Sequence, residues 1–193
     1  MYASKIGLDN NLEAPKRFDN KINSKFHEST PVFTKDGKTM YFTRNNFLDG
    51  KRGKDSKSVT LLKMYKSTLV DGQWANIAEL PFNSDNYSVA HPALSLDEKT
   101  LYFASDMPGT LGQSDLFKVT INENGTYSTP ENLGAKINTE GRETFPTISA
   151  ENELYFASDG RPGLGGLDIY VTRLDENQNI GEIQNIGEPV NSP

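Results

Sequence analysis

Four aspartates, Asp106, Asp115, Asp159 and Asp168, are the residues of this 193-residue chain whose type and spacing could do chemistry. Paired carboxylates hydrolyse glycosides, and clustered carboxylate oxygens bind hard cations such as calcium. Asp106 and Asp159 each close an Ala-Ser-Asp exit, and Asp115 and Asp168 each open an apolar run, so the four occupy two recurring positions. Recurrence of that kind is what side chains that cap turn amides do, and we read all four as structural turn residues. A structural calcium stays open as an alternative. Gly165 and Gly166, in GRPGLGGLD (160–168), belong to the same turn, which lacks the GK[ST] ending and the following helix of a phosphate loop.

Other constellations are missing. The two histidines, His27 and His91, form no H-E-x-x-H pair, and no G-x-S-x-G elbow offers a nucleophile. His91 precedes Pro92 and reads as a packed strand residue. With no cysteine there is no thiolate nucleophile, thiolate metal site or disulfide. No catalytic residue, cofactor or metal site is expected, and the chain is not expected to be an enzyme.

One basic cluster remains. RNNFLDGKRGKDSK (44–57) brings Arg44, Phe47, Lys51, Arg52, Lys54 and Lys57 into a connection nine residues longer than its two counterparts, counted from Phe42 to Tyr65 against Phe103 to Phe117 and Phe156 to Tyr170. Loops on a rigid scaffold are where recognition sits, so the segment reads either as a surface for an anionic partner or as a solvated insertion. Residues 1–66 carry 14 Lys/Arg against 7 Asp/Glu, and residues 67–193 carry 6 against 19, so the net charge of −6 conceals opposite ends. The basic third has no interleaved aromatic platform, which argues against nucleic acid as a partner. No apolar run of 18 residues and no leader at Met1 is present, so membrane insertion is not expected.

The elements that must position these residues repeat. ESTPVFTKDGKTMYFTRN (28–45), VAHPALSLDEKTLYFASD (89–106) and ETFPTISAENELYFASD (143–159) each run from a proline through an alternating segment and a polar turn into a Tyr-Phe strand. Pro31, Pro92 and Pro146 lie 61 and 54 residues apart, each expected at the start of a first strand. A third strand follows at KMYKS (63–67), DLFKV (115–119) and DIYVT (168–172), then a fourth, then Asn83-Ser84, Asn138-Thr139 or Asn191-Ser192. Four short strands per period of about 50 residues predict β-propeller blades in an all-β fold. In Leu101-Tyr102-Phe103 alternation points apolar side chains to both sheet faces, which stacked blades can bury.

FPTISAENELYFASDGRPGLGGLDIYVTRL (145–174), with INTEGRE (137–143) before it, resembles the WD40-like (PD40) repeat of TolB-type propellers. The variant is similar to that of large Bacteroidetes envelope proteins, and the resemblance spans essentially the whole chain. It implies a periplasmic, outer-membrane-associated scaffold whose partners are other envelope or secretion-complex proteins, including the type IX machinery and OmpA-family proteins. No residue here matches an OmpA-like peptidoglycan-binding domain. Blade one departs from the pattern, with Lys63 where the others have Asp115 and Asp168. The alternative is a propeller accessory to a hydrolase or peptidase, or a glycan-binding propeller.

The register assigns 27–84, 85–139 and 140–193 to whole blades and 1–26 to the second half of another. Half a blade leaves strand edges open, so the remaining blades are expected from missing sequence or from another chain.

Overall fold

Strands that carry apolar side chains on both faces need cover on both, and the computed structural model, which describes residues 1–193, provides it by stacking sheets. Residues at the N-terminus form a two-stranded pair, β1 (Tyr2–Ala3) and β2 (Lys16–Arg17). The first four-stranded sheet holds β3 (Glu28–Phe33) and β4 (Thr39–Asn45); after a small separate hairpin, β5 (Phe47–Leu48) and β6 (Lys51–Arg52), it continues with β7 (Leu62–Val70) and β8 (Gln73–Glu79). The second holds β9 (Val89–Leu94), β10 (Thr100–Ser105), β11 (Asp115–Thr120) and β12 (Glu131–Asn132). The third holds β13 (Glu143–Ile148), β14 (Glu153–Ser158), β15 (Asp168–Leu174) and β16 (Ile180–Asn185). Every sheet is an antiparallel meander, and the first strands β3, β9 and β13 lie beside one another. The fold is all-β, three propeller blades and half of a fourth. No helix is long and apolar enough to cross a membrane.

One apolar cluster fills each junction, and the alternation of the second strands decides its membership. Met40 and Phe42 face the half blade with Ile22, Tyr65 and Trp74, while Tyr41 between them turns the other way to meet Leu101 and Phe103 of blade two. Tyr102 in turn meets Leu154, Phe156 and Tyr170 of blade three. These side chains are almost fully buried, each contributing roughly 1.5–3 kcal/mol on an area basis. Within each blade the second-strand Phe stacks on the third-strand aromatic, Phe42 on Tyr65, Phe103 on Phe117 and Phe156 on Tyr170, at 5.7, 5.9 and 5.8 Å.

The asparagine that ends each unit has a specific role. Asn138 accepts from the Leu116 amide at 2.8 Å and donates to the Leu116 carbonyl at 3.0 Å, so its side-chain amide imitates a strand neighbour. Asn83 does the same to Met64 and Asn191 to Ile169. Asn23 repeats it on Met1, which fixes the register of the half blade.

Two expectations need correction. The prolines do not start their strands: Pro31, Pro92 and Pro146 are each the fourth residue, at a bulge where two residues oppose the second-strand Phe. The first strand is an inner edge strand, so a residue without an amide donor costs no ladder bond there. The fourth strand of blade two is also shorter than a full strand. Pro130 has no amide to donate, and pairing reduces to Glu131–Asn132 and an isolated bridge between Ile121 and Tyr127.

Candidate functional site

The recurring carboxylates bond to the fold itself. Asp106 accepts from the Ser88 amide at 2.6 Å, and Asp159 accepts from the Arg142 amide at 2.6 Å and from its guanidinium. Asp115, fully buried, accepts from the Leu111 amide and from Asn132 Nδ2; Asp168 accepts from the amides of Leu164 and Gly165 and from Asn185 Nδ2. Backbone and guanidinium donors from Arg142 hold the Asp159 carboxyl below its ordinary range.

The loop closes on Asp168 because of Gly163, where a Cβ would lie 1.8 Å from Asp168 Oδ2, and Gly165, where it would meet the Ser192 carbonyl at 2.4 Å. Gly166 has open space around it, so the structure gives no steric reason for that glycine.

Blade one inverts the polarity of the same pair. Tyr65 pairs with Glu79 where Phe117 pairs with Asn132 and Tyr170 with Asn185, so Lys63–Glu79 replaces Asp115–Asn132. Lys63 Nζ lies 3.0 Å from Glu79 and 2.9 Å from Asp85. Burial works against its charge, but the two carboxylates outweigh that and leave Lys63 above its ordinary value.

The inserted segment divides. Arg44 is not a surface residue: two positions after Phe42 on β4, it shares the buried face, and its guanidinium lies over the Phe42 and Tyr65 rings at 5.0 and 5.1 Å. It donates to the Ile22 carbonyl at 2.5 Å and lies 3.3 Å from Glu28. Burial, opposed by Glu28, lowers its pKa from the ordinary value.

The rest of the segment is a hairpin. Asp49 and Gly50 both have positive φ, the twist that a two-residue turn between paired strands needs. Phe47 packs on Phe26 with centroids 4.9 Å apart, and Lys25 lies 5.6 Å from both rings. Arg52 lies over Phe26 at 5.3 Å. Lys51, Arg52, Lys54 and Lys57 are exposed, and Asp55 ties the turn that carries the last two by accepting from the Lys57 and Val59 amides. The structure therefore joins the basic insertion to Lys25 and Phe26, which lie outside it in sequence. The Asp-Gly turn between Phe47-Leu48 and Lys51-Arg52 is the signal from which the hairpin could have been read.

A second feature lies where the three inner strands meet. Thr30, His91 and Phe145, the residues before the three prolines, all have positive φ of 44°, 59° and 52°. That backbone region costs a non-glycine residue about 1–3 kcal/mol, so the recurrence marks a position held by its surroundings. With their prolines they line an apolar cavity of about 260 Å³. His91 packs against Phe145 with centroids 4.0 Å apart and ring planes 39° apart, and lies 3.3 Å from Thr30 Oγ1 through Nδ1. The constant x-Pro inside an alternating run was its signal in the sequence.

Burial lowers the His91 pKa to about 4, so the ring is neutral at pH 7. A depressed folded-state pKa means that stability is full above the unfolded value near 6.5 and is lost as pH falls from there toward 4. His91→Asn is expected to flatten the fall in urea-unfolding free energy between pH 6.5 and 4.5, by on the order of 1–2 kcal/mol.

No family model matches the chain and no curated protein matches it. Solved structures do match. The structure of TolB from Acinetobacter baumannii is 15% identical over 97% of this chain and 38% of its own, with a TM-score of 0.55. The α-L-arabinofuranosidase from Lactobacillus brevis is 14% identical over 92% of this chain and 58% of its own, with a TM-score of 0.56. A puromycin hydrolase is 16% identical over 96% of this chain and 27% of its own, with a TM-score of 0.53. The chain therefore spans less than two thirds of each. At such identity the likeness is one of fold, a TolB-like propeller fold that enzymes and TolB share.

Proposed function

We propose that this chain is a non-catalytic interaction module, a propeller segment that docks an anionic protein surface on the hairpin carrying Phe47, Lys51 and Arg52. The observation behind this reading is the tilted contact pair Phe26–Phe47, with Lys25 against both rings and Arg52 over Phe26, presented by an exposed hairpin on a rigid blade. Partly desolvated aromatic anchors with cations at the rim are the composition of a protein-binding hot spot. The recurring carboxylates point the same way, because an aspartate that accepts backbone amides inside a turn is a poor general acid or nucleophile.

The setting rests on the resemblance of the repeat and on the fold shared with TolB. It is periplasmic and outer-membrane associated, with envelope or secretion-complex partners, and the finer assignments are the type IX machinery or an OmpA-family protein. A second reading is supported by the hydrolases among the similar folds: a propeller accessory to a hydrolase or peptidase, or one that binds glycans. A hydrolase domain in the same polypeptide would favour it.

Lys51→Glu/Arg52→Glu is expected to lower recovery of a cross-linked envelope partner at least about tenfold, and rising salt should lower recovery by the wild type. Lys99→Glu, at an exposed site in blade two, should leave recovery unchanged. Equal recovery by all three proteins would remove the hairpin from the function.

A further inference from the structure

The carbonyl of the residue before a clasping asparagine meets a guanidinium at two of the three junctions. At the half-blade junction Arg44 donates to the Ile22 carbonyl and lies over the Phe42 and Tyr65 rings; between blades two and three Arg161 donates to the Ile137 carbonyl at 2.9 Å and lies over Phe156 and Tyr170. The junction of blades one and two is built differently. Residues 81–131 contain no arginine, the Tyr87 hydroxyl donates to the Phe82 carbonyl at 3.2 Å, and Met107 packs with Phe82 and Phe103. Beside them lies a groove of about 560 Å³, lined by Phe82, Tyr87, Met107, Tyr127, Pro108 and Pro130. Tyr127 stands edge-on to Phe82 with centroids 5.8 Å apart, and the shortened fourth strand of blade two, which Pro130 interrupts, supplies that wall.

We propose that this groove docks a proline-rich segment of a partner protein in the polyproline II conformation, with a lysine or arginine beside the prolines. The hydroxyls of the groove are already engaged, Tyr87 on the Phe82 carbonyl, Tyr127 on the Tyr41 hydroxyl at 3.2 Å and Ser128 on the Thr129 carbonyl at 3.1 Å. An occupant therefore meets ring faces and few hydrogen-bonding groups. Proline suits that lining because it brings no amide donor to be left unpaired, and aromatic-lined grooves take polyproline II segments because the helix is preformed and loses little entropy on docking. Charge adds the flanking cation. Asp106 and Glu131 adjoin Met107 and Pro130, Asp85 lies between Phe82 and Tyr87, and residues 81–131 as a whole hold seven Asp/Glu against two Lys. One of those two, Lys118, is already paired with Glu131 at 3.6 Å. The groove thus attracts a basic segment, whereas the hairpin with Lys51 and Arg52 attracts an acidic one, and neither assignment depends on the other.

Fluorescence anisotropy of a labelled octaproline with an arginine at each end, titrated with the full chain, tests the assignment. We expect an affinity at least about tenfold above that of an arginine-flanked Gly-Ser repeat of equal length and charge, which lacks the preformed helix. Thr129→Arg, at an exposed lining site, sets a cation against those of the peptide and should weaken binding about threefold or more. Tyr87→Phe keeps the ring and should bind as the wild type does, while Tyr87→Leu should lose about fivefold or more. Lys51→Glu/Arg52→Glu should not weaken the peptide, which separates this result from that of the hairpin. Equal affinity for the two peptides would reduce the contact to charge alone and overturn the proposal, as would no binding up to about 1 mM chain. So would an arginine-flanked Val-Thr repeat that binds as tightly as octaproline, since the groove would then take a strand, or binding untouched by both Thr129→Arg and Tyr87→Leu, since the peptide would then sit elsewhere.

Discussion

Alanine at Arg44 is expected to lower the free energy of unfolding by about 3–5 kcal/mol, the range for removing one partner of a buried ion pair. The guanidinium lies between two blades, with Glu28 on one side, the Ile22 carbonyl behind it and the Phe42–Tyr65 stack beneath. Truncation leaves the Glu28 carboxylate buried without its cation and exposes a void over two rings. Glu28 keeps its bonds from Ser24, which moderates the cost without replacing the charge. Blade two shows an apolar solution at the corresponding junction, where Met107 packs with Phe82, Phe103 and Phe117. Arg44→Met with Glu28→Gln is therefore expected to return to within about 1 kcal/mol of wild type, and Arg44→Met alone to resemble alanine. Urea unfolding at pH 7 measures all three. A loss under 1 kcal/mol for Arg44→Ala would show that water reaches the pair.

Arg44 also shows what the sequence made legible and what it did not. Its place in a run of cations groups it with Lys51 and Arg52, but strand period groups it with Phe42, and the second grouping is the physical one because β4 extends through Asn45. The blades themselves were readable because Met40-Tyr41-Phe42, Leu101-Tyr102-Phe103 and Leu154-Tyr155-Phe156 carry apolar groups on both faces, which only a stacked sheet can bury. The axial cavity was marked only by the repeated x-Pro, which gives its place but not its shape, since positive φ at Thr30, His91 and Phe145 arises from how three inner edges converge and no local propensity favours it. Trp74 and Phe18 illustrate the middle case. Their types announce burial, yet the contact between them across the half-blade junction, with centroids 6.0 Å apart, depends on a register that the Asn23 clasp sets together with the Tyr2–Arg17 and Ala3–Lys16 pairs.

That clasp yields the second large effect. Asn138 is buried, and its side chain is the acceptor for the Leu116 amide and a donor both to the Leu116 carbonyl and to Asn132 Oδ1. The carbonyl also accepts from the Leu133 amide, so Asn138→Ala orphans chiefly one buried N–H, along with a void and the lost bond to Asn132. A loss of about 2–4 kcal/mol is expected by urea unfolding. Asn138→Asp separates the donor from the acceptor role. It still accepts from Leu116 but turns carboxylate oxygens toward two acceptors, so at pH 7 it is expected to be less stable than alanine. Its carboxyl would titrate above the ordinary value in the folded state, so the deficit relative to wild type is present above that raised pKa and shrinks as pH falls toward 4. Asn23→Ala, whose side chain bonds Met1 beside a two-stranded pair rather than within a four-stranded sheet, is expected to cost about 1 kcal/mol or less. If Asn23 and Asn138 proved equal in cost, the strand-mimicking bonds would not be what distinguishes an interior junction, and the half blade would be held as firmly as the whole ones.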